Sequence, residues 1–247
     1  MPKNKKILLA LIVAAALVVA MCFIYLDFSL LFGIRESNYP SKFIKRIDVI
    51  LAAVVVAAAG KQRLSRKDNL LVGITFLAIF CAEASFIINN TIAAIVFFVI
   101  CQILLIIRNG NGLRNKLQIT KDISTRRKLV FSGAGIMVVL ILIITFVFYP
   151  ILKLSAFFFI FILYGLIVSI SLWIGLVDYI LDLFPKKNSL MIGIGMICFF
   201  VSDIFVGLNI VLKPSSLQLL VSSLIWILYI PAIMLLAFSC YNYSEDY

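Results

Sequence analysis

The sequence predicts an all-α integral membrane protein of about eight transmembrane helices, on three observations. Of its 247 residues 64% are hydrophobic and only 13% charged, with a mean hydropathy of +1.17; a soluble domain keeps about a quarter of its residues charged. The apolar residues form continuous runs close to the ~20 residues a helix needs to cross the hydrocarbon core. The charged residues are confined to short segments between those runs. A bilayer solvates such a chain and water does not, so residues 1–247 are expected to form a single integral membrane domain.

The first run, 7–32, follows three lysines and holds Asp27 as its only charge. It begins like a signal peptide but is too long for a cleaved apolar region, so an uncleaved first helix is expected. The second, 43–60, is the least apolar, because Lys45, Arg46 and Asp48 intrude at its start and would place part of it at the interface. The third and fourth, 69–89 and 91–107, are joined only by Asn89-Asn90, a tight helical hairpin. The polar stretch Arg108 to Lys128 then divides the chain into two groups of four. The remaining runs are 129–149, 154–183, 189–212 and 217–240, with Pro150, Pro185 and Pro214 between them. Proline lacks the amide hydrogen a helix interior needs, so each is a stop signal. Pro231 lies inside the last run, where a kink is expected and is tolerated in a membrane.

The net charge of +11 would suggest nucleic acid in a soluble protein. Here the bases lie between membrane spans, so topology and anionic headgroups account for them, and nucleic acid is not an expected partner. The chain has no histidine, which excludes Ser-His, Cys-His and His-metal sites. Cys22, Cys81, Cys101, Cys198 and Cys240 all lie in apolar runs without paired ligand spacing and read as small buried hydrophobes.

Ionisable groups inside a bilayer cost at least about 2.5–3.5 kcal/mol near its centre, so they face a cavity or a partner. Glu83 lies deep in the third run and Asp203 deep in the seventh, 120 residues apart. At the same offset Phe80 matches Phe200, Ala82 matches Ser202, Ile88 matches Leu208 and Asn89 matches Asn209. Each carboxyl stands 14 residues into its run, about 21 Å at 1.5 Å per residue. Both runs point the same way, so both acids should sit at one depth. Two four-helix halves in parallel repeat, related by an axis along the membrane normal, would bring them together. A carboxyl hydrogen-bonded between helices as structural glue is the alternative.

The other polar residues in or near the runs have plainer readings. Gln102, Tyr164, Asn89 and Asn209 are candidate substrate-binding groups, with interhelical packing as the alternative. Asp27 and Asp48 lie nearer the ends of their runs, at headgroup level, and Asp48 is expected to pair with Lys45 or Arg46. Asp178 and Asp182 share a helix face and are expected to meet Lys186 or Lys187.

The run Gly193-Ile194-Gly195 to Ser202-Asp203, late in the seventh of eight spans, resembles the YhhN-like lysoplasmalogenase family of membrane hydrolases. The strongest match is Phe199-Phe200-Val201-Ser202-Asp203. Tyr149-Pro150 followed by Tyr164 looks like the start of that family's second half, and the likeness covers nearly the whole chain. The sequence departs from the pattern at Ala82-Glu83, where the family usually has Gly-Asp. It departs again at Gln102 and Leu105, where the family often has His and Tyr.

The resemblance implies cleavage of the vinyl-ether bond of lysoplasmalogens to a fatty aldehyde and a glycerophospho-alcohol, without metal or other cofactor. A vinyl ether is cleaved by protonating its β-carbon, giving an oxocarbenium ion that water traps as a hemiacetal. One protonated carboxyl as donor and one carboxylate as stabiliser suit that chemistry, and two carboxyls in one cavity favour that division. Glu83 and Asp203 are the candidate catalytic pair, with the acid unassigned between them. The departures suit a non-catalytic lipid-binding protein as an alternative, and paired mid-membrane acids in repeated halves suit a small proton-coupled transporter.

The expected location is a bacterial plasma (inner) membrane. Alternate extramembrane segments, counted from the N-terminus, carry 16 of the 22 Lys and Arg and the others 6. The positive-inside rule therefore places both termini in the cytoplasm, with the segment holding Arg35, Lys42, Lys45 and Arg46 dissenting. A reporter fused after Tyr247 is expected to be active only on the cytoplasmic side; activity confined to the outer side would reverse the topology.

Overall fold

The computed structural model describes residues 3–37 and 39–243. The chain folds as helices α1 (Lys3–Leu31), α2 (Tyr39–Ala58), α3 (Arg66–Ile87), α4 (Thr91–Asn109), a short α5 (Leu113–Ile119), α6 (Ile123–Ile143), α7 (Tyr149–Leu152), α8 (Ala156–Leu181), α9 (Lys186–Val211) and α10 (Ser216–Phe238). Among the described residues there is no β-strand, only a single bridge between Arg63 and Tyr241. Seven helices are long and apolar enough to cross a membrane: α1, α3, α4, α6 with its extension through α7, α8, α9 and α10. Helix α2, expected as the second of eight spans, carries Lys42, Lys45, Arg46 and Asp48 and is not among these seven, yet it packs against α1, α3 and α10. This is an all-α integral membrane protein.

Side chains satisfy amides at the helix starts, as an apolar medium demands. Ser65 Oγ accepts from Asp68 N at 3.0 Å, Asn90 Oδ1 from Ala93 N at 3.1 Å and Ser215 Oγ from Gln218 N at 3.2 Å. Asp122 opens α6, accepting from the Thr125 hydroxyl at 2.6 Å and the Thr125 and Ser124 amides, which holds its carboxyl below the usual range. Asn89 makes the tight turn between α3 and α4 at φ +59°, a left-handed conformation that asparagine tolerates.

Two sequence expectations, at Pro150 and at Arg108, need correction. Pro150 does not end the fifth span. The helix widens into a π segment over Ile144–Phe148, and Tyr149 N–H reaches back to Ile144 O. The wider turns leave room for a residue that lacks an amide hydrogen and would clash one α-helical turn back. The break falls instead at Lys153, with φ +51°. Helix α10 runs unbroken through Pro231. Arg108, read as the start of a polar loop, is buried within the helix bundle.

Arg108 sits where four helix ends meet. Its Nε donates to Asp68 Oδ1 at 2.7 Å and its Nη1 to Ser239 Oγ at 2.9 Å. Asn188 Nδ2 donates to Ser239 O at 2.8 Å and Tyr241 O at 2.7 Å. Asp68 near the start of α3 and Asn188 near the start of α9 are 120 residues apart, the separation of Glu83 and Asp203. The network therefore binds the two matching helices at equivalent positions.

Helix adjacency follows the same repeat. In each half the first helix packs on the second, the second on the third and the third on the fourth. Across the halves α2 meets α10 and α4 meets α8. A twofold exchange of α1–α4 for α6, α8, α9 and α10 would give this pattern of neighbours. It is broken in one place: α1 packs on α10, but α6 stands away from α4.

Arg108→Ala is expected to destabilise the protein by about 3 kcal/mol, because it leaves Asp68 as a buried charge without its partner. Unfolding in detergent micelles, compared with wild type, measures the loss.

Candidate functional site

At the end of the bundle opposite Arg108, helices α2, α3, α9 and α10 separate around a cavity of about 460 Å³. Glu83 from α3 and Asp203 from α9 both line it. Each stands fifteen residues beyond the pair Asp68 and Asn188, about 22 Å up its helix. The repeat puts the two acids at equivalent positions along α3 and α9, and the parting of the helices at this end opens one cavity to both.

The acids have different surroundings. Glu83 Oε2 lies 3.3 Å from Arg46 Nε, and the Arg46 guanidinium lies 5.9 Å from the centre of the Trp226 ring. Asp203 Oδ2 accepts from Tyr164 OH at 2.9 Å and Gln102 Nε2 at 3.1 Å. Both bonds fall on one carboxyl oxygen. The rings of Phe98 and Tyr229 cross at 74° with centroids 6.2 Å apart, and both border the cavity. The Tyr229 hydroxyl is buried and makes no hydrogen bond.

Asp203 also borders a second, smaller pocket of about 60 Å³. Its walls are apolar and come mainly from α6, α8 and α9, including Leu140, Phe148, Phe161 and Ile204. It lies where α6 stands away from α4. Two glycines bring the helices round it into contact: a Cβ on Gly207 would lie 2.8 Å from Phe148, and one on Gly165 would lie 2.8 Å from Leu140. Phe148 belongs to the π segment, so the widened turn and Gly207 together shape this wall. A polar chamber and an apolar one thus meet at Asp203, Phe86 and Phe98, which line both.

The residues proposed from sequence distribute as follows. Tyr164 and Gln102 bond Asp203, while Asn89 and Asn209 stand at the rim of the larger cavity. Leu105 is an apolar core residue. Asp48 does not pair with Lys45 or Arg46. It is fully buried and neither carboxyl oxygen accepts a bond, because Lys45 turns to Asp27 on α1. Asp27, read as a headgroup-level residue, is buried and also accepts from Ser41 and Ser223. Asp178 accepts from Phe184 N and Ser189 Oγ, both at 3.0 Å, tying the end of α8 to the start of α9.

Sequence reasoning missed Lys42, Lys45, Arg46, Trp226 and Tyr229 as cavity residues. Two signals pointed to the cations. Lys42, Lys45 and Arg46 follow the i, i+3, i+4 spacing of one helix face, and they belong to the one segment that defied the charge asymmetry. Sequence reasoning did not single out Trp226 or Tyr229, which sit in a predominantly apolar run.

The fold and site define an integral membrane protein whose helices enclose a carboxyl-lined cavity joined to an apolar pocket. The family model of the YhhN family matches residues 41–240, most of the chain, and the protein belongs to that family. No curated protein and no solved structure matches it.

The cavity predicts a reactivity pattern in a cysteine-free background. Ser222→Cys, on the cavity wall, is expected to react with a membrane-impermeant maleimide, whereas Ser171→Cys, fully buried between helices, is expected to stay protected. Equal labelling of both would contradict the cavity.

Proposed function

We propose that the protein hydrolyses ether lysophospholipids, cleaving the vinyl-ether bond of a lysoplasmalogen to a fatty aldehyde and a glycerophospho-alcohol. The observation that carries this reading is the junction at Asp203, where a chamber lined by charged groups meets an apolar pocket. A single-chain ether lipid has the same division, and its vinyl-ether group lies where chain and headgroup meet. With the chain in the apolar pocket and the glycerol in the larger cavity, that group lies beside Asp203. Membership of the YhhN family and the suitability of paired carboxyls for the chemistry support the same reading.

On this reading Asp203 is the acid. Tyr164 and Gln102 fix one carboxyl oxygen and leave the other to give its proton to the β-carbon of the vinyl ether. The oxocarbenium ion that forms is stabilised by the Glu83 carboxylate, which also orients the attacking water. Water adds to the carbon bearing the ether oxygen, giving a hemiacetal and releasing one proton. Collapse of the hemiacetal breaks its bond to the glycerol oxygen, which takes up a proton as the aldehyde leaves. Asp203 is reprotonated, and one water is consumed per bond cleaved. With both termini cytoplasmic, as the charge asymmetry favours, the cavity faces the outer half of the membrane.

Purified protein incubated with lysoplasmalogen is expected to release aldehyde and to leave the ester-linked analogue intact. Asp203→Asn, which removes the proton donor at nearly constant shape, and Glu83→Gln, which removes the charge, are each expected to lower turnover by about 10²–10⁴-fold. Glu83→Asp should keep partial activity. Wild-type rates in both amide variants would falsify the carboxyl mechanism. No aldehyde from the wild type would instead favour lipid binding or proton-linked transport.

A further inference from the structure

Three cations line the larger cavity on the α2 side, Lys42, Lys45 and Arg46, against the two acids Glu83 and Asp203. Their state is unusual for charges within a helix bundle. Lys45 is buried, and its charge is met from behind by Asp27, which Ser41 and Ser223 hold in place. Arg46 has its Nε 3.3 Å from Glu83 Oε2 without hydrogen-bond geometry, its Nη1 donating to the Lys42 carbonyl, and its guanidinium over the face of Trp226. Lys42 lies one turn before Arg46, at the cavity rim, with no carboxylate paired to it among the described residues. The Tyr229 hydroxyl, buried and without a partner, adds a fourth donor on the opposite wall. If Asp203 carries a proton, the three positive charges are met by two carboxylates, Asp27 and Glu83, and one positive charge is left over.

An apolar medium makes such an excess of donors and positive charge costly unless an anion completes it. Two features narrow the anion. The cations form a row on one helix face rather than a planar fork, which suits a tetrahedral oxyanion reached from several sides. They line the larger cavity and not the apolar pocket, so an anion bound there can belong to a molecule whose aliphatic chain passes Asp203.

We propose that Lys42, Lys45 and Arg46 form a phosphate subsite that holds the phosphodiester of a single-chain lipid, with Tyr229 as an auxiliary donor. The subsite deepens the hydrolase reading, on which the lipid's ether linkage rests, and it fixes substrate orientation. Phosphate at α2 and chain between α6, α8 and α9 leave the linkage at the junction of the two chambers. Lys42, Lys45 and Arg46 are accordingly specificity residues, selecting phosphorylated ether lipids over neutral alkenylglycerols.

The test uses a ligand that cannot be cleaved by vinyl-ether protonation, so that it is independent of turnover. Binding of a saturated 1-O-hexadecyl lysophospholipid to the full-length protein in detergent is compared with 1-O-hexadecylglycerol, which lacks the phosphate. The phospholipid is expected to bind about tenfold more tightly or better, the scale of one hydrogen bond to a charged group. Lys42→Ala is expected to remove most of that preference and Lys42→Arg to restore it, with hexadecylglycerol binding unchanged in both. Lys42 is exposed at the rim, so its replacement leaves the packed core intact. Equal affinity of wild type for the two ligands would overturn the subsite, as would a Lys42→Ala variant that loses both equally. Inorganic phosphate that binds with the same Lys42 dependence, while the ether phospholipid does not bind, would assign the cations to free phosphate and overturn the lipid proposal. Because no bond is broken, the outcome is separate from whether aldehyde is released.

Discussion

The buried guanidinium of Arg108 is the constraint from which the rest of the arrangement follows. A charge this deep persists only where its hydrogen bonds are met, and Asp68 and Ser239 meet them, while Asn188 joins the network through the shared Ser239 carbonyl. Those groups lie on α3, α10 and α9, and Arg108 itself ends α4. The network around this one side chain therefore ties four helix ends together. With α3 and α9 pinned near their starts at positions related by the same 120-residue offset, any group further along one helix has its counterpart at equal height on the other. Glu83 and Asp203 inherit their equal depth from this anchor.

The opposite end pays no such packing penalty, and the helices part there. Polar side chains that would be prohibitive against lipid become tolerable when they face a cavity or one another. Arg46 with Glu83 and Lys45 with Asp27 are two such arrangements, each joining α2 to a neighbouring helix. Helix α2 is too charged to be stable against lipid alone. It is held because its charges are answered from α1, α3 and α10, so the least apolar helix is also the one whose face is committed to the cavity.

The departure from symmetry has a consequence of its own. Had α6 packed on α4 as α1 packs on α10, the apolar pocket beside Asp203 would be closed. The π segment before Pro150 and the missing side chain of Gly207 let Phe148 form the wall of a pocket where regular packing would have filled it. Asp203 consequently borders two chambers and Glu83 one, although the sequence gives the acids matching positions. Gln102 bonds Asp203, and hydroxyls arrive from other helices, Tyr164 on α8 and Tyr229 on α10.

The sequence by itself determined the helical membrane class, most of the boundaries and the matching positions of Glu83 and Asp203, while one of the eight expected spans, α2, is too charged to count among the seven apolar ones. These depend on local quantities: the length of an apolar run, a proline or an asparagine pair between runs, and the cost of a carboxylate in hydrocarbon. Tertiary structure alone decided which charges meet. Asp48 lies within one turn of both Lys45 and Arg46, yet Lys45 crosses to Asp27, eighteen positions earlier on α1, and Arg46 crosses to Glu83. It also decided that Arg108 is an anchor and that Tyr229 faces the cavity. The physical reason is that long flexible side chains choose partners across helix interfaces, and the rotation of each helix about its own axis is set by packing rather than by its own residues. In a uniformly apolar helix such as α10, no periodicity marks the inward face, so only its neighbours could reveal it.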